Sequence, residues 1–124
     1  MSDSVIRLTR LIERPGRGPA NLLLFHDHKA LVIDAAAVVL YRAADYVDDP
    51  LGNGVIGHAA FPPALAPTWL PAQGYVARQL AGCVQLNGGA TLFLRPDGVA
   101  LYPSPVDALH ERHRHWLIAF HSPH

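Results

Sequence analysis

The sequence predicts a single β-rich α+β domain, built as an antiparallel sheet or small barrel with one main helix over residues 75–86 and a Pro-rich flap. Three observations carry that expectation. Short apolar runs of four or five residues alternate with turn chemistry, most clearly around Arg95-Pro96-Asp97-Gly98, which is the signature of hairpins rather than helices. Tyr75, Leu80 and Val84, with Val76 and Cys83 beside them, recur at helical spacing ahead of the stop Asn87-Gly88-Gly89. Pro62, Pro63, Pro67 and Pro71 rule out an ordinary helix across the segment that carries them.

Taken in order, residues 4–13 read either as helix or as strand. Val5, Leu8 and Ile12 keep helical spacing, whereas Ile6 and Leu8 alternate with Arg7 and Thr9; the Pro15-Gly16-Arg17-Gly18-Pro19 loop that follows favours strand. Residues 22–25 and 30–34 are apolar runs flanking the polar tetrad His26-Asp27-His28-Lys29, and they predict a hairpin lying in the core. For residues 36–46, Val38, Val39 and Tyr41 favour strand while the alanines favour helix. Residues 48–71 read as an irregular Gly/Pro-rich loop within the one domain, with Phe61 and Trp69 as large apolar anchors.

Residues 91–94 and 99–102 form the clearest hairpin, since Pro followed by Asp-Gly meets the dihedral demands of a tight reversal. Ser104-Pro105-Val106-Asp107 reads as a helix start, with Ser as cap and Pro in the first turn, and residues 116–120 read as a closing strand. No internal repeat, heptad or low-complexity tract is legible.

Composition narrows the function classes. A chain of 13.5 kDa is one domain, large enough for a core without disulfide or metal staples. Ten basic residues balance ten acidic ones, which argues against nucleic acid as partner, because phosphate neutralisation needs a basic excess. Zero net charge also gives little charge-based solubility and points to a second copy or a protein partner covering apolar surface. The single Cys83 excludes an internal disulfide and suits the cytoplasm. Arg7, Arg10 and Glu13 interrupt the first apolar stretch, so it does not read as a secretory signal, and no run approaches the roughly 20 residues needed to span a bilayer.

Eight histidines are the most conspicuous excess, six of them in two groups: His26 and His28 around Asp27, then His110, His113, His115 and His121. On an extended strand, residues two apart share a face, so His26 and His28 are candidate ligands of one ion. Joined by His58, His113 or His115, they would suit zinc, iron, copper or nickel. The plainer reading makes the first pair a polar turn and the second group a solvated face, with Glu111, Arg112 and Arg114 interleaved. His58 sits after a Gly-rich lead, where a lone histidine is sometimes a general base and more often an ordinary loop residue.

No catalytic residue is assigned. Cys83 lies in an apolar stretch, no Gly-x-Ser-x-Gly elbow occurs, and carboxylates are scarce. The sequence therefore predicts a small cytosolic non-catalytic interaction or regulatory module, a homodimer whose contact surface uses Phe61 and Trp69, with no cofactor expected. The alternative is a histidine-based transition-metal protein or small metalloenzyme on His26 and His28 plus a distant histidine.

Overall fold

A computed structural model describes residues 5–120 and places nearly all of the regular structure in ten strands. Strands β1 (Ile6–Arg14), β2 (Gly18–Phe25), β3 (Ala30–Ile33), β4 (Ala37–Tyr41) and β5 (Val55–Ala60) form one antiparallel sheet in chain order. Strands β6 (Val76–Gln79), β7 (Cys83–Leu86), β8 (Thr91–Arg95), β9 (Gly98–Tyr102) and β10 (His115–Ala119) form a second, again in chain order. One short helix, α1 (Pro105–Leu109), lies between β9 and β10, and two 3-10 turns lie at Ala44–Tyr46, between β4 and β5, and at Pro63–Leu65, between β5 and β6. No helix among the described residues is long and apolar enough to cross a membrane.

The inward faces of the two sheets meet in one core. Leu23, Leu31, Ile33 and Leu40 from the first sheet pack with Val84, Leu92, Val99 and Leu101 from the second. Along each strand these positions alternate with outward ones, the period-two pattern of a pleated sheet. The sheets close on each other at both edges. β5 packs beside β10, where Gly57 abuts Ile118 so tightly that a Cβ would lie 2.6 Å from its side chain. At the opposite edge the Ile6 N–H donates to the carbonyl of Ala81 at 2.7 Å.

Several expectations are corrected. Residues 75–86 are not a helix. They are β6 and β7, joined by a turn that the Leu80 N–H closes onto the Cys83 carbonyl at 2.9 Å. Val76, Val84 and Leu86 face the core while Arg78 and Gln85 point outward, so the spacing that resembles a helical face arises from two strands and a turn. The domain is consequently mostly β, with ten strands and a minor helix, rather than α+β with one main helix. Residues 48–71 are not wholly irregular either: β5 lies within them, paired to β4 from Ala37↔Ala60 onward. Residues 4–13 resolve to strand over the described part, and 36–46 to a strand followed by the 3-10 turn. The two expected hairpins, the Ser104 cap and the closing strand are all present. The Asp107 N–H donates to Ser104 Oγ at 3.1 Å.

The chain is also an internal repeat, contrary to the sequence reading. Adding 61 to a residue number in β2–β4 gives its counterpart in β7–β9: Leu31↔Leu40 pairs as Leu92↔Leu101 does, and Ala30↔Tyr41 as Thr91↔Tyr102 does. The turns match as well. The Phe25 N–H donates to the Lys29 carbonyl, as Leu86 does to Ala90, and His28 (φ 75°) occupies the left-handed position held by Gly89 (φ 101°). A register shift falls near the start of β1, between Ile6 and Leu8, and again near the start of β6, between Val76 and Arg78. Each half is thus a five-stranded meander with a short helical turn before its last strand.

Candidate functional site

The last strand carries the site. Its Cα register slips between Trp116 and Ile118, a bulge that breaks the simple alternation of the strand. Ile118 is buried, while the Trp116 ring stands 40% exposed, the only exposed aromatic side chain among the described residues. A large indole left in water is costly, since burying such a side chain is worth on the order of 1.5–3 kcal/mol.

Arg114 is fixed over it. The guanidinium lies 5.1 Å from the Trp116 ring and 5.7 Å from the ring of Tyr102. Its Nε donates to Tyr102 Oη at 2.8 Å, and a terminal nitrogen reaches Glu111 Oε1 at 3.3 Å. Tyr102 is itself wholly buried, so the hydroxyl that holds Arg114 is anchored in the protein interior. Little side-chain freedom remains to be lost when another surface arrives. In the segment just before Arg114, Arg112 and Asp107 lie 3.8 Å apart, and β5, which packs beside β10, exposes Val55 and Ile56. The patch is an aromatic centre with both signs of charge at its rim.

The residues singled out by sequence fall elsewhere. Phe61 is not an exposed anchor: it is 6% exposed and belongs to the core, its N–H donating to the Ala36 carbonyl at 2.9 Å. Trp69 is half-buried and packs edge-on against Tyr75 with ring centroids 5.2 Å apart. The Pro-rich segment therefore turns its aromatics inward, as the transfer free energy of large apolar rings favours. Of the two expected anchors, Phe61 is buried in the core and Trp69 is only partly accessible.

The histidines are dispersed. His26 and His28 sit in the β2–β3 turn, not on a strand, and with Arg7 and Asp45 they line a recess of about 410 Å³. Asp27, between them, is paired to Lys29 at 2.9 Å. His58 is exposed on β5 opposite Val39, His110 ends α1, His113 has a positive φ of 59°, and His115 opens β10. Among the described residues no three histidine, cysteine, aspartate or glutamate side chains come together to hold a metal ion. The proposed set His26, His28, His58, His113 and His115 is not assembled. His121 and His124 lie outside the described residues.

Asp34 has a shifted pKa. Burial of Asp34 pushes its pKa up. The Arg14 hydrogen bond at 3.0 Å, the N–H groups of Ala36 and Ala37 at 2.9 Å and the Arg14 charge together outweigh this and lower it below the ordinary carboxylate value. This pair ties the end of β1 to the β3–β4 turn and is structural.

Comparison with family models, with curated proteins and with solved structures finds none that matches.

Proposed function

We propose that this chain is a small non-catalytic interaction and regulatory module of the cytoplasm that acts as a homodimer, with Trp116 at the centre of the contact. The observation that carries the reading is the exposed Trp116 ring beneath a pre-positioned Arg114. Tryptophan and arginine dominate the energetics of protein contacts when they are central and water is excluded around them.

A second copy is the occupant that fits best. A two-fold contact brings the same patch together with itself, so the patch must be self-complementary. This one carries Arg112 and Arg114 beside Asp107 and Glu111, and the chain as a whole has zero formal charge. Two copies can thus approach without net repulsion and exchange ion pairs across the axis.

The test is sedimentation and light scattering across a wide range of protein concentration. The wild type is expected to be a dimer with unchanged circular dichroism in the Trp116→Ala variant. Truncating an aromatic anchor costs about 2 kcal/mol or more, so dimerisation should weaken about thirtyfold. A wild type that stays monomeric, or a variant that dimerises equally well, overturns the proposal.

A further inference from the structure

The two halves of the repeat differ most in charge around the β2–β3 turn. The register of β1 slips at Arg7, and the matching slip of β6 falls at Ala77. A bulge of this kind re-aims the side chain it carries. His26 and His28 follow β2, and the residues 61 positions on, after β7, are Asn87 and Gly89. The 3-10 turn Ala44–Tyr46 begins 61 residues before α1, which sets Asp45 against Val106. One cation, one anion and two imidazoles of the first half thus correspond to alanine, valine, asparagine and glycine in the second.

The asparagine has a structural task, since Asn87 Nδ2 donates to the carbonyls of Thr68 and Gly74. His26, at the same place, has none. Among the described residues, the side chains of Arg7, His26, His28 and Asp45 make no hydrogen bond and no ion pair. All four line one recess of about 410 Å³, and all four are exposed, so a molecule entering the recess can reach each of them. Arg7 and Asp45 therefore present opposite charges to one space without neutralising each other. His28 keeps its place at a φ of 75°, in the left-handed region where the second half has Gly89. Backbone strain of this kind gathers at ligand-binding sites.

We propose that this recess binds a small amino-carboxylic acid as its zwitterion, with the carboxylate on Arg7 and the ammonium on Asp45. The planar fork of an arginine matches a carboxylate. His26 and His28 flank the ligand, and a neutral imidazole offers one N–H donor and one acceptor, so it serves either end. An anion without the amine meets the repulsion of Asp45, and an amine without the acid meets that of Arg7, so selectivity comes from repulsion as well as attraction. The volume falls in the lower part of the range for small-molecule sites, roughly 300–1,000 Å³. The site uses no side chain of the Trp116 patch and goes beyond the dimer reading.

The test titrates the whole protein with unbranched ω-amino acids from glycine to 6-aminohexanoate, and with the n-alkanoate and n-alkylamine of each length. Binding is read calorimetrically and from the amide resonances of His26, His28 and Ala44. Affinity is expected to peak at the length that spans Arg7 and Asp45. At that length the zwitterion should bind about fivefold or more tightly than either analogue, one ion pair at an open site being worth up to about that factor. Arg7→Gln should bring the zwitterion down to the level of the amine, and Asp45→Asn should bring it down to the level of the acid. His28→Gly, which places the residue of the second half at the same turn, should weaken the zwitterion severalfold and leave the fold intact by circular dichroism. Absence of binding across the series, an alkanoate or alkylamine that binds as tightly as the zwitterion, or a preference for the zwitterion that survives both charge substitutions overturns the proposal.

Discussion

Replacing Asn21 by alanine should unfasten the two sheets, because Asn21 and Asn87 grip one peptide unit from opposite sides. The Tyr75 N–H donates to Asn21 Oδ1, while Asn87 Nδ2 donates to the carbonyl of Gly74. Both amides are buried, and Gly74 fits there only as glycine: its φ is +68°, and a Cβ would lie 2.4 Å from Asn21 Oδ1. In Asn21→Ala the Tyr75 N–H is left buried without an acceptor, at a cost of about 1–3 kcal/mol, and the Nδ2 bond to the Gln73 carbonyl, worth about 1 kcal/mol, is lost as well. The expected loss is about 2–4 kcal/mol of unfolding free energy. Asn87→Ala also loses the Nδ2 bond to the Thr68 carbonyl at 3.1 Å, yet it should cost less, about 1–2 kcal/mol, because the Gly74 carbonyl keeps the Leu70 N–H at 2.9 Å and Thr68 is exposed to water. Since both side chains act on one peptide, the double variant should be non-additive by about 0.5 kcal/mol or more. Urea unfolding followed by fluorescence and circular dichroism measures all three. A loss below about 0.5 kcal/mol for Asn21→Ala, or strict additivity, would refute the clamp.

Two further outcomes follow from named contacts. Asp34 has a folded-state pKa below its unfolded value, so its contribution to stability is complete above the unfolded pKa near 3.9 and is lost as pH falls through the folded one. Asp34→Asn should therefore lower stability at neutral pH and flatten the acid limb of a stability-versus-pH curve; an unchanged limb sinks the assignment. Gly98→Ala should cost more than about 3 kcal/mol, because φ is +143° and a Cβ would meet the Ile118 carbonyl oxygen at 1.9 Å. Gly16→Ala, at φ +73° in open space, should cost only the left-handed backbone term of about 1–2 kcal/mol, and equal losses in thermal melts would show that the close approach at Gly98 is not the cause.

What the sequence discloses is local chemistry. The hairpins at residues 22–34 and 91–102 are legible because a polar or Pro-Asp-Gly turn separates two apolar runs, and the Ser104 cap is legible for the same reason. β6 and β7 escape because each has only four residues and the Tyr75, Leu80 and Val84 positions happen to keep helical spacing across the turn between them. The repeat is hidden because the halves agree mainly at positions such as Leu31 and Leu92, Val38 and Val99, and Tyr41 and Tyr102, while turn residues and outward faces differ. His28 even does by strain what Gly89 does freely. Trp116 could not be assigned to the surface from sequence, since a bulge rather than simple alternation decides which way it points. The recess beside the β2–β3 turn draws on residues scattered from 7 to 45, and only the pairing of β1 with β2 and the 3-10 turn after β4 bring them together.

The meander order of both sheets has a consequence for how the molecule is put together in time. All eight strand ladders among the described residues join neighbours in the chain. Every ladder can therefore zip from its own short loop, at small entropic cost. Distant parts of the chain meet at the two seams, across the shared core and at the Asn21 clamp, so those encounters come late and set the pace of folding. A cut in the connector between β5 and β6 severs no ladder at all. It turns the last step into the meeting of two separate pieces, and refolding of such a pair would depend on concentration where that of the intact chain does not.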